Sequence, residues 1–211
     1  RAIYSSFLTA QGRFLHDFFV VELGDAFLLD CEGERLDDLR RRLSLYRLRS
    51  KVTLAPVSDA MAVYALFGPG AFIALGLPES IGSAVPFANG VALVDPRLVG
   101  LGARAILPVD KAEAAIKQAG FAVGTFADYD RLRLSLGVPD GSRDLPIEKA
   151  LLLENGFDEL NGVDWKKGCY VGQELTARMK YRLLAKKRLT PKPPCPLGGT
   201  SPAPFHQDSP P

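Results

Sequence analysis

The first 31 residues leave the chain little freedom in how it folds. Residues 2–9, 13–23 and 26–31 are strand-like runs rich in Phe, Val and Leu, parted only by turns at Gln11-Gly12 and Gly24-Asp25. Connections that short join antiparallel strands, because a parallel pair needs a crossover of about a dozen residues or more. The third run is brief and almost wholly apolar, which predicts a strand covered on both faces with Cys31 directed into the core.

Residues 36–48 carry apolar side chains at Leu36, Leu39, Leu43, Leu45 and Tyr46, the stripe of an amphipathic helix. Between them stand Arg40, Arg41 and Arg42. Asp37 and Asp38 lie three or four residues away, so the triplet reads as a solvated, ion-paired face rather than a phosphate site. Residues 51–54, 61–67, 91–96 and 103–108 read as further strands, and 71–77 as a short helix. Residues 109–120 form a helix that closes on Gly120. Thr125 stands three residues before Asp128, a capping box with Asp in place of Glu, and opens a helix ending near Gly137. No Gly-x-Gly-x-x-Gly follows a strand and no Walker loop occurs. The pattern predicts an α+β fold of antiparallel sheets with packed helices.

With 211 residues, 47% of them hydrophobic, the chain can hold one large domain or two small ones. Its three cysteines (Cys31, Cys169, Cys195) are odd in number and lack paired spacing. That argues against a disulfide framework and for a reducing compartment. Nor can three cysteines hold an iron–sulfur cluster alone, which normally takes four. The two histidines, His16 and His206, cannot build a zinc hydrolase site. A Cys169–His16 catalytic pair is formally available, but His16 sits mid-strand, where a lone histidine is read as structural. No apolar run approaches the ~20 residues that span a bilayer. The chain opens at Arg1 inside a strand, so an N-terminal piece is expected to precede it. Eight of the 16 prolines fall in residues 191–211, which predicts a disordered Pro-rich tail.

The most concentrated chemistry is Lys167-Gly168-Cys169-Tyr170-Val171-Gly172-Gln173-Glu174. Glycines permit backbone that other residues resist, so a pair bracketing the thiol suggests a sharply bent loop. Lys166 and Lys167 would favour the thiolate, which is the reactive form. The residues alone leave two readings of Cys169, a small buried hydrophobe or a reactive thiol. Residues 173–179 then begin a short helix or a strand. Residues 166–192 hold nine Lys/Arg and one acid, a segment suited to nucleic acid, to an anionic cofactor or to a solvated rim.

This octapeptide resembles the Lys-Gly-Cys-aromatic-x-Gly-Gln-Glu signature of the folate-binding iron–sulfur assembly family (YgfZ/CAF17-like), in particular its Iba57-like branch. That family shares its fold with the glycine-cleavage T-protein. The resemblance continues through Leu175, Thr176, Ala177 and Arg178, and includes Arg133, Gly137-Val138-Pro139, Arg143-Asp144-Leu145-Pro146, Gln11-Gly12-Arg13 and the segment from Leu45-Tyr46-Arg47 to Lys51-Val52. It covers about residues 1–190. It implies a T-protein-like α+β fold of two interleaved subdomains, the inserted one over roughly 26–120. Part of the family's N-terminus and its C-terminal β-barrel are expected to be lacking. It implies that Cys169 is the central residue and a possible shared cluster ligand. Lys167, Gly168, Tyr170, Gly172, Gln173 and Glu174 would shape its loop. Arg133, Glu148 and Arg178 are nominated as contacts of tetrahydrofolate. The implied role is an assembly factor that matures [4Fe-4S] proteins such as radical-SAM and aconitase-type enzymes. It would work with iron–sulfur carriers of the A-type or glutaredoxin class, through a transient cluster shared with the partner. The implied compartment is the bacterial cytoplasm or the mitochondrial matrix, with neither membrane nor nucleic acid as partner. A folate-dependent one-carbon transferase is the alternative. The aminomethyl-transferring relatives carry an acid near the position of Ser135, which argues against it.

Overall fold

The computed structural model describes residues 1–182, 188–191 and 205–208. The chain divides into two compact units. The first comprises Arg1–Tyr4 and Asp17–Val123, the second Ser5–His16 and the chain from Gly124 onward. Strands β1 (Ala2–Leu8), β2 (Phe14–Leu23) and β3 (Ala26–Cys31) form a three-stranded sheet in that order. β2 and β3 pair antiparallel, with Phe18 opposite Cys31 and Leu23 opposite Ala26. The two short turns thus produce the meander that their lengths dictate.

The reading of β3 as covered on both faces is corrected. β3 is an edge strand, its Phe27 is 68% exposed and Cys31 is only half-buried. Helix α1 (Leu36–Arg47) follows, burying Leu39. Arg40 pairs with Asp37 at 3.1 Å, and Asp38 takes Arg41 at 2.5 Å and Arg42 at 2.7 Å, so the Arg triplet is the ion-paired face that its spacing predicts.

A second sheet makes the core of the first unit. Strands β4 (Met61–Leu66), β5 (Ala84–Phe87), β6 (Gly90–Val94) and β7 (Ala103–Pro108) lie in the order β4-β7-β6-β5, every pairing antiparallel. Helices α2 (Ala71–Leu75) and α3 (Ala112–Gln118) supply Leu75, Ala112 and Ile116 to a cluster with Leu66, Val94 and Leu107. All five residues of β6 are buried. A side chain at Gly90 would meet the Ile106 carbonyl oxygen at 2.1 Å, so only glycine lets β7 pass. Residues 51–54, expected as a strand, are irregular. Beside this core Asp95 and Arg97, both almost fully buried, form a bidentate pair at 3.0 and 2.8 Å. Arg97 and Arg104 both stack on the Phe19 ring, at 4.9 and 4.2 Å, and Arg104 continues to Asp30 at 2.6 Å.

The second unit holds α4 (Phe126–Ser135), α5 (Gly141–Asp144), a 3-10 turn at Leu152–Asn155, α6 (Gln173–Arg182) and a two-stranded pair, β8 (Arg188–Pro191) with β9 (Phe205–Asp208). The Thr125–Asp128 capping box forms in full. Phe14 and Phe157, both 0% exposed, meet edge to face at 6.1 Å. The Phe14 amide donates to the Ala150 carbonyl, and the Glu148 amide donates to the Phe14 carbonyl. Of the tail expected over 191–211, residues 192–204 and 209–211 lie outside the described residues.

Candidate functional site

The octapeptide lies in the second unit as a loop followed by the first turn of α6. Cys169 is exposed, as are Lys166, Lys167, Gly168 and Val171. The structure therefore rejects the buried-hydrophobe reading of this thiol. Of the two glycines, the backbone demands only Gly172. Gly172 has φ +82°, and a side chain there would meet the Thr9 carbonyl oxygen at 2.6 Å. Gly168 has open space around it, so no close approach requires glycine there.

The loop is fixed at both ends. Before it, the Trp165 indole N–H donates to Asp158 Oδ1 at 2.6 Å, and the other Asp158 oxygen accepts from Lys180 on α6. Lys180 also lies over the Trp165 ring, which meets Tyr181 edge to face. Burial pushes the Asp158 carboxyl up, but the Lys180 and Trp165 hydrogen bonds outweigh it and hold the group below its usual value. After the loop, the Tyr170 amide donates to Gln173 Oε1 at 3.1 Å and the Gln173 amide returns to the Tyr170 carbonyl at 3.2 Å. The Gln173 side chain thus reaches back over the start of its own helix, in the manner of a capping residue. The Tyr170 ring is half-buried, which pushes its phenol up against the opposing hydrogen bond with Thr176. Lys167 Nζ lies 4.8 Å from the centre of that ring. Lys167, Tyr170 and Gln173 brace the loop among themselves and leave the sulfur to solvent.

The remaining nominated residues are placed elsewhere. Arg178 pairs with Glu174 one turn away on α6, and both are exposed. Glu148 is exposed, with φ +60°. Arg133 is 1% exposed, its Nε bonded to Asp130 at 2.6 Å and its Nη1 to Asp144 at 2.5 Å and the Val138 carbonyl at 3.1 Å. That corrects Arg133 as a folate contact, because its guanidinium is spent on the fold. Ser135 donates to the Leu132 carbonyl. His16 is 3% exposed within β2, whereas the thiol is exposed. Cys195 lies outside the described residues. Among the described residues no group of three or more His, Cys, Asp or Glu side chains could hold a metal ion. No described helix is long and apolar enough to cross a membrane.

An exposed thiol on a braced loop, with no metal-binding group of side chains beside it among the described residues, is suited to a chemistry completed by another molecule. No family model matches the chain. The human mitochondrial iron–sulfur cluster assembly factor IBA57 is 38% identical over 96% of the chain. The chain is similar to IBA57. Its mouse counterpart is 36% identical over the same share, and the IBA57 homologue of Neurospora crassa is 32% identical over 89%. The chain spans 57% of the length of the human and mouse IBA57 proteins and 44% of the Neurospora crassa one.

The sequence reading missed Asp158, Trp165 and Lys180, which hold the loop at its start. A lone tryptophan just before a glycine-flanked thiol was the available signal.

Proposed function

We propose that this chain is an iron–sulfur cluster assembly factor of the mitochondrial matrix, belonging to the Iba57-like branch, and that Cys169 is its working residue. The observation that carries the reading is the exposed Cys169 sulfur on a loop braced by Lys167, Tyr170 and Gln173. The names of the similar proteins support the class of work. The cluster is cargo. The thiol gives up its proton and its sulfur binds iron, while a carrier protein of the A-type or glutaredoxin class supplies the other ligands. The exposed cations Lys166 and Lys167 favour the approach of an anionic cluster. Ligand exchange then passes the cluster to a [4Fe-4S] client, and Cys169 is reprotonated.

Tetrahydrofolate belongs to the same proposal. Glu148 and Arg178 are exposed and of the right chemical kind for it, a carboxylate for pterin N–H groups and a guanidinium, here paired with Glu174, for the carboxylate tail. Arg133 does not fit it. A one-carbon transferase would need an acid poised over folate. Ser135, bonded to its own helix, supplies none.

The deciding experiment is Cys169→Ala in cells that depend on this protein. Maturation of an aconitase-type client should be lost while the variant's thermal transition stays within a few degrees of the parent. Undiminished client activity would remove the proposal, and Cys169-independent turnover of a one-carbon unit would favour the transferase.

A further inference from the structure

We propose that Gly12, remote in sequence from the motif, is a positioning residue for the Cys169 thiol. This rests on the reading of Cys169 as the working residue. The turn joining β1 to β2 is stiff. Thr9 donates its amide to the Arg13 carbonyl and accepts the Gly12 amide, both at 2.9 Å, and its hydroxyl accepts the Arg13 amide at 3.1 Å. Arg13 then reaches the Lys149 carbonyl at 2.8 Å, tying the turn to the chain beside it.

Against this turn the motif loop ends. A side chain added at Gly12 would lie 2.7 Å from the Gly172 carbonyl oxygen and 2.9 Å from Cβ of Leu175. One added at Gly172 would lie 2.6 Å from the Thr9 carbonyl oxygen and 2.9 Å from Cα of Gly12. Two backbones therefore touch with no side chain between them, and each glycine also holds a left-handed conformation, at φ +78° and +82°. The thiol is three residues from this contact. With Trp165 held by Asp158 at the other end, the segment carrying Cys169 is strung between two fixed points. Moving Gly172 off the turn releases one of them.

The contact can be separated from ordinary glycine strain. Gly156, also in the second unit, has φ +73°, and its nearest neighbour would be Leu160 Cδ1 at 4.0 Å. Gly156→Ala thus imposes the strain without the collision. Gly12→Asn tolerates the left-handed backbone but keeps the Cβ.

Three variants, Gly12→Ala, Gly12→Asn and Gly156→Ala, are compared by amide hydrogen exchange and by per-cysteine alkylation with iodoacetamide across pH 7–9. Both Gly12 variants should accelerate exchange over residues 168–172 by about tenfold. They should change the Cys169 alkylation rate by about threefold or more, while the half-buried Cys31 keeps its rate. Gly156→Ala should leave the loop as it is. Loop behaviour in Gly12→Ala matching that in Gly156→Ala, or rescue by Asn, overturns the proposal. Should the Gly12 variants not fold, the unmodified protein decides. The amides of Gly12, Arg13 and Gln173 then share one opening equilibrium if the contact holds, and exchange independently if it does not. Neither readout depends on cluster transfer, so the proposal can fail while the role of Cys169 stands, and the reverse.

Discussion

Cys31 and Cys169 sit in opposite circumstances. Cys31 is half-buried, and desolvation, aided by Asp30, pushes its thiol up to about 11. At pH 8 only about one molecule in a thousand then carries the thiolate there. Iodoacetamide at that pH is expected to modify exposed Cys169 well before Cys31, a difference read by peptide mass spectrometry. Equal rates would contradict the loop geometry. Thr125 offers a simpler case, since its hydroxyl and Asp128 close the capping box that opens α4. Thr125→Ala should cost about 1 kcal/mol in urea unfolding, and Thr125→Asn should recover most of it.

At the scale of elements, α6 matters because it braces the thiol loop as well as following it. Asp158→Ala removes the acceptor of Trp165 and the anion of Lys180 together. It should lower stability by about 1–3 kcal/mol and quicken exchange at residues 166–168. What the sequence disclosed here was local. Turn lengths dictated the meander, Thr125 and Asp128 announced their helix, and paired glycines announced a bent loop. Apolar content alone could not reveal which faces of β3 gain a neighbour, so Phe27 was misjudged. Pro86 concealed β5, because proline demotes a run to an edge strand or none, and β5 is indeed at an edge. The meeting of Gly12 with Gly172 was invisible, since a backbone contact between distant glycines leaves no periodicity. Arg133 was legible as important, but a buried guanidinium that serves the fold and one that serves a ligand look alike in sequence.

Taken whole, the molecule gathers its sensitivity to acid in its second unit. Asp128, Asp130 and Asp158, all held below their usual values, belong to the second. The cause is first the Thr125 hydrogen bonds at Asp128. At Asp130, burial pushes up but the Arg133 and Arg143 hydrogen bonds prevail. Depressed carboxyls contribute stability that is present above their unfolded value of about 3.9 and lost as pH falls through the folded one. Groups raised chiefly by burial fall in both units, Tyr4 and Cys31 in the first and Tyr170 in the second. The Cys31 contribution is intact below the unfolded thiol value, 9.0, and is lost as pH rises through about 11, whereas those of Tyr4 and Tyr170 fade only as pH rises beyond the ordinary phenol value. Hydrogen exchange should show the second unit loosening first in acid, below about pH 4. Simultaneous loosening of both units in acid would refute that assignment. The chain's one tryptophan adds a practical consequence. Trp165 stands four residues before Cys169, so its ultraviolet emission reports from the approach to the thiol alone. A coloured iron–sulfur centre arriving at that sulfur would darken it by energy transfer. Loading could then be followed in real time, with no dye attached.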